Sequence, residues 1–190
     1  MRTKNKLRYT VSDLTVTSLF VALFAVCAFI SVPLPFVSFT MQTFAVFLAV
    51  YILGTLRSLV AVSVYIILGA LGVPVFAGFR GGISVLLGPT GGFIAGFVPA
   101  AIISGLLIER SGYRRLPATA SMLAGLAACY ASGSVWFARV YASRHGPVTV
   151  RFVLTAAVLP FVVPDVIKII IAAELGRRLK PYADRITGRQ

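Results

Sequence analysis

The sequence predicts an all-α integral membrane protein, a single domain over residues 1–190 built as a bundle of six transmembrane helices with both termini in the cytoplasm. Three observations predict it. The chain is 58% hydrophobic with a mean hydropathy of +0.94, above the roughly 45–50% apolar usage of soluble domains. Six apolar runs approach the ~20 residues that cross a bilayer, at 13–32, 41–56, 58–73, 86–108, 117–138 and 152–175. Most of the 18 basic residues fall before the first run, after the last, or in alternate connections, which is the asymmetry that holds positive charge inside.

The first run follows Arg2, Lys4, Lys6 and Arg8. Its "FAVC", ending at Cys27, resembles a lipoprotein cleavage site, but Val26 stands where a small residue is needed and five more spans follow, so we read an uncleaved helix. Ser18 and Ala22 form a small-xxx-small face for close helix contact. The second run opens with "FTMQTF" (39–44), whose Thr40, Gln42 and Thr43 serve either as interfacial caps or as ligand contacts. Arg57 marks the inner turn before the third run. Then comes "VFAGFRGGISVLLGPTGG" (75–92), read in two parts. The first is an outer loop free to admit and cover a ligand. The second, "GPTGG", starts the fourth helix, with Pro89 in its first turn and its N–H groups turned outward as an anion site. Arg110, Arg114 and Arg115 return the chain inside. The fifth run carries Tyr130, Gly133 and Trp136 on one face, either packing, interfacial belt or ligand wall. Arg139, Arg144, His145 and Arg151 form an outer loop, and with Arg80 they run against the charge rule. The sixth run ends in Arg177, Arg178, Lys180, Arg185 and Arg189.

Several chemistries are excluded. "GPTGG" lacks the lysine of a phosphate-binding loop, so any ATP is used by a partner. His145 is the only histidine, and Asp13, Glu109, Asp165, Glu174 and Asp184 are scattered without metal-ligand spacing. We therefore expect no enzyme activity, no metal and no cofactor. The net charge of +13 flanks apolar segments rather than building a polar face, so it reads as topology signal and anionic-lipid contact, not nucleic-acid binding. Cys27 and Cys129 lie within spans and suggest no disulfide.

Polarity enters the membrane at "LPFVVPDVIKII" (159–170). Asp165 and Lys168 stand three apart and share a helix face; each charge at mid-span costs about 2.5–3.5 kcal/mol on insertion scales. They either neutralise each other or offer an acceptor and a cation to a polar ligand. Pro160 and Pro164 break the helix. If helix restarts at Pro164 the pair sits in its first two turns; if it runs unbroken from 152, the pair lies deep.

These residues together resemble the biotin-specific substrate-binding component of bacterial energy-coupling factor (ECF) transporters, over nearly the whole chain. The strongest block is Tyr65 to Phe97, with its Gly-x-x-Gly-x-Pro-x-Phe-Ala-Gly run, Gly-Gly pair and Gly-Pro-Thr-Gly-Gly. "VPLPFVSFTMQTF" matches a proline-rich first outer loop, with Ser38 where proline is common. "PFVVPDVIK" matches the last helix, with Val163 and Pro164 in place of Pro-Gly. The docking face of the first helix, usually Ala-x-x-x-Ala, reads Ala22 to Val26 here.

The resemblance implies a vitamin bound near the outer surface of the bacterial plasma membrane. It also implies partners: biotin, a transmembrane coupling subunit and two ATPase subunits. The candidate substrate-binding residues are Asp165, Lys168, Gln42, Thr43, Phe79, Arg80, Ser84, Thr90, Gly91 and Tyr130. Asp165 would accept the ureido N–H groups and Lys168 would donate to the ureido carbonyl or the carboxylate. Arg80 would neutralise the carboxylate or mark the lipid headgroups. A stand-alone proton-coupled transporter of biotin or a similar solute, with Asp165 as coupling carboxylate, is the competing expectation, although no inverted repeat accompanies it.

Overall fold

A computed structural model describes residues 10–188. The elements run α1 (Val11–Phe29), β1 (Ser31–Val32), β2 (Phe39–Thr40), α2 (Gln42–Leu53), α3 (Thr55–Ala70), α4 (Ile83–Leu86), α5 (Gly91–Arg110), α6 (Arg115–His145), α7 (Val150–Ala157) and α8 (Leu159–Thr187). The basic residues expected to fix the N-terminus inside, Arg2, Lys4, Lys6 and Arg8, lie outside the described residues, as does Arg189.

Helix α1 starts at a capping box: Thr10 Oγ1 accepts from the Asp13 N–H at 3.2 Å, and Asp13 Oδ2 accepts from the Thr10 N–H at 3.2 Å. It ends at Phe29, short of the expected 32, because Ser31–Val32 pair antiparallel with Phe39–Thr40. This small hairpin carries the proline-rich loop and delivers Thr40 to the start of α2.

The α2–α3 boundary falls at Gly54, not at Arg57. Gly54 takes φ 77°, and a Cβ there would lie 2.9 Å from Glu109 Oε1, so one residue suffices to end one helix and start the next. Arg57 lies inside α3 and pairs with Asp13 of α1 at 2.9 Å. Ten of the twelve α2 residues are buried, as an all-round apolar helix requires, and α2 packs against α1, α3, α5 and α8. It is the central element.

Helices α5 and α6 share the most extensive interface. Gly92 receives Trp136, whose Cγ would lie 2.6 Å from an added Cβ, and Gly96 lies against Cys129 of α6. Small residues of this kind let helices approach closely within a membrane. α6 runs past the expected 138 to His145, so Arg139, Arg144 and His145 belong to its last turns rather than to a loop.

The sixth run breaks at Val158 (φ −129°, ψ −62°), not at Pro164, and α7 and α8 meet at 44°. Pro160 sits in the first turn of α8, where its missing N–H costs nothing, and Pro164 lies within the helix. α8 continues to Thr187, carrying Arg177, Arg178, Lys180 and Arg185 on helix.

Among the described residues three helices, α1, α5 and α6, are long and apolar enough to cross a membrane, and the bent pair α7–α8, taken as one span, makes a fourth. α2 and α3, with 12 and 16 residues, are about 18 and 24 Å long at 1.5 Å per residue, below the ~30 Å of a hydrocarbon core.

Candidate functional site

Seven of the expected residues meet in one pocket. Its floor comes from α8, which places Asp165 and Lys168 on one face; β2 and the first turn of α2 supply Thr40, Gln42 and Thr43, and α6 supplies Tyr130. Arg80 and Thr90 line it from the connection between α3 and α5. The apolar walls are mainly Phe39, Phe76, Phe93, Phe97 and Phe161, and apolar walls with a few convergent polar groups are the usual make-up of small-molecule sites.

The charged pair is almost fully buried, each residue 4% exposed. Lys168 Nζ lies 2.7 Å from Asp165 Oδ1. It also donates to the Thr40 carbonyl at 2.6 Å and to Thr43 Oγ1 at 3.3 Å, and it lies 3.8 Å over the Phe39 ring. All three ammonium hydrogens are thus engaged. Asp165 Oδ1 accepts from Thr43 Oγ1 at 2.9 Å as well, and Oδ2 accepts from the Tyr130 hydroxyl at 2.6 Å. A carboxylate has about four acceptor sites, so Oδ2 keeps one open. Short charge-assisted bonds of this kind hold a buried pair in one geometry.

Gln42 forms a second polar group. Its Nε2 donates to the Tyr65 hydroxyl at 2.6 Å, its Oε1 accepts from Thr40 Oγ1 at 3.0 Å, and Tyr65 donates to the Val75 carbonyl at 2.9 Å.

Three expected residues do not line this pocket. Phe79 (φ 57°) is exposed and stacks on Phe29 of α1, ring centroids 4.1 Å apart. Ser84 is exposed on α4, and its neighbour Val85 reaches the pocket instead. Gly91 is buried against the Leu86 carbonyl, which leaves no room for a Cβ.

At the start of the fourth span, where an anion site is expected, three of the first four helix N–H groups are taken up by the local turn. α5 begins at Gly91, after Pro89. Gly91 N–H donates to the Gly88 carbonyl at 3.1 Å, and the Phe93 and Ile94 N–H groups donate to Thr90 at 3.1 and 3.3 Å. The glycine-rich connection is likewise a folded excursion rather than a free tether. Val73 N–H bonds Leu68, Gly82 N–H bonds Gly69 at 2.7 Å, and Phe76 N–H bonds Arg80 at 2.9 Å. Arg80 is exposed, its Nε donating to Ala77 at 3.2 Å.

Of the aromatic face on α6, only Tyr130 reaches the pocket. Gly133 accommodates the Phe93 ring, and Trp136 Nε1 donates to the Gly88 carbonyl at 2.9 Å, so both pack α6 against α5. Sequence reasoning passed over Tyr65 and the phenylalanine walls. Tyr65 carried a signal, since a tyrosine inside an apolar helix needs a partner for its hydroxyl.

The sequence model of the BioY family matches residues 1–185. The chain belongs to the BioY family. It is 43% identical over 162 residues to the biotin transporter BioY of Thermotoga maritima, covering 85% of this chain and 92% of that one. It is 42% identical over 168 residues to the probable biotin transporter BioY of Pyrococcus horikoshii, covering 88% and 96%. A crystal structure of the S-component for biotin from an ECF-type ABC transporter superposes with a TM-score of 0.78 at 22% identity, covering 90% of this chain and 92% of that one. The BioY-family fold therefore extends over nearly the whole molecule.

Proposed function

We propose that this protein is the biotin-binding component of an ECF-type uptake transporter. The observation that carries the proposal is the pocket itself: one buried ion pair, a fixed amide and phenylalanine walls, in a member of a family whose relatives are named biotin transporters.

The free hydrogen-bonding capacity suggests an orientation. Lys168 has no hydrogen to spare, whereas Asp165 Oδ2 and Gln42 Oε1 each keep an acceptor site. Acceptors suit the ureido N–H groups of biotin. The phenylalanines suit its bicycle and valeryl chain, and Arg80 at the pocket wall suits its carboxylate.

On this reading the chain crosses the plasma membrane six times with α2 and α3 as short crossings, both termini are cytoplasmic, and basic residues near the inner surface meet anionic lipid. It acts with a transmembrane coupling subunit and two ATPase subunits, which supply the work of uptake. Ser18, Ala22 and Val26 are exposed at four-residue spacing on α1, which supports that face as the docking site despite Val26.

Calorimetry on the purified protein tests the proposal. Asp165→Asn and Lys168→Ala should each abolish measurable biotin binding. Arg80→Gln should weaken biotin about tenfold, the scale of a charged hydrogen bond, and leave biotinamide unchanged. Full affinity in the first two variants would remove the pair from the site.

A further inference from the structure

We propose that Tyr65 is a positioning residue: it locks the Gln42 amide with its carbonyl oxygen toward the pocket, as an acceptor for a ligand N–H. The identity of that ligand rests on the transport reading above; the lock itself does not.

The oxygen and nitrogen of an amide are alike in shape, so hydrogen bonds alone decide which way it faces. Val75 contributes a backbone carbonyl, which only accepts. The single hydroxyl hydrogen of Tyr65 therefore goes to Val75 at 2.9 Å. Its contact with Gln42 at 2.6 Å must then be received by the phenol oxygen, and Gln42 presents its NH₂ there. The carbonyl oxygen is left on the other side, where Thr40 Oγ1 donates to it at 3.0 Å. Thr40 Oγ1 in turn receives the Gln42 backbone N–H at 3.4 Å, which directs its own hydrogen to the amide oxygen. One acceptor site on Gln42 Oε1 stays open, and both Thr40 and Gln42 line the pocket.

Tyr65 does not line the pocket and so acts through Gln42. Its ring is 1% exposed and held edge-on by Phe24 at 5.8 Å and Phe76 at 5.5 Å. It has no freedom to swing toward another acceptor. Val75 belongs to the same connection as Ala77 and Arg80, which wall the pocket. The placement of that connection thus sets the donor or acceptor sense of Gln42.

Glutamine occurs only at 42 and 190, so protein labelled with ¹⁵N-glutamine gives two side-chain amide signals, and Gln42→Leu assigns them. In detergent micelles without ligand, one Gln42 amide hydrogen should exchange slowly with solvent. In Tyr65→Phe it should exchange at least about tenfold faster, as a lost hydrogen bond requires, with the unfolding midpoint recorded alongside. Equal rates in the two proteins overturn the lock.

Calorimetry with biotin and its two singly N-methylated ureido analogues then reads the acceptor role. Tyr65→Phe should weaken biotin about tenfold, the scale of one net hydrogen bond. It should change one methylated isomer, which has already lost that bond, by less than about twofold. Equal loss for all three ligands makes Tyr65 merely structural and overturns its role at the site. A wild-type protein that binds no biotin sinks the transport reading, while amide exchange still decides the lock.

Discussion

Replacing Lys168 by methionine keeps the length of the side chain and removes its charge. Asp165 loses its partner at 2.7 Å, and the Thr40 carbonyl loses a donor at 2.6 Å. Breaking a buried pair by removing one member costs about 3–5 kcal/mol. Asp165 keeps hydrogen bonds from Thr43 and Tyr130, so the lower end, about 3 kcal/mol, is expected. Asp165→Asn alone leaves Lys168 with Thr40, Thr43 and the Phe39 ring, and about 2–3 kcal/mol is expected by the same reasoning. The double variant removes both charges; the new amide at position 165 accepts through its oxygen from one of the Thr43 and Tyr130 hydroxyls and donates through its NH₂ to the other hydroxyl oxygen, so it should fall within about 1 kcal/mol of the wild type. The coupling energy is then at least about 4 kcal/mol. Chemical unfolding in mixed micelles of the four proteins measures it. A double variant destabilised by the sum of the singles would show that the two residues do not act as a unit, and would refute the reasoning.

Gly92→Ala forces a methyl group into Trp136. Overpacking of this kind costs about 1–3 kcal/mol, and the same unfolding assay should report it, whereas Gly112→Ala, with nothing within 4 Å, should cost mainly its backbone strain at φ 64°, about 1 kcal/mol. The proposed topology predicts that cysteine placed at Ser111 is labelled by a membrane-impermeant maleimide only after permeabilisation, as is cysteine at Asp184. Cys27 and Cys129 are buried and should stay silent, and labelling of either engineered site in intact cells would overturn cytoplasmic termini.

The pair in α8 was legible because charge inside an apolar run has few explanations, Gln42 and Thr43 were legible as polar groups opening the second run, and Tyr130 as part of the aromatic face of the fifth. The break at Val158 was not, because two prolines advertised alternatives and the one at 160 fits a helix start rather than a break. Gly133 and Trp136 share a face with Tyr130, yet only contact with Phe93 and Gly88 of the neighbouring segment assigns them to packing. How many N–H groups the "GPTGG" helix start keeps free was not legible for a related reason: it depends on a local turn that spacing does not reveal. Tyr65 acquires its role from Val75, ten residues on, and from Gln42 on another helix. Such a role exists only in three dimensions.

The buried pair in α8 also has an electrical consequence. A single charge held within a membrane feels work of about 2.3 kcal/mol for each 100 mV that it traverses. Asp165 and Lys168, bound oxygen to nitrogen at 2.7 Å, present no net charge to that field. The membrane voltage therefore does no net work on this pair wherever in the membrane it lies.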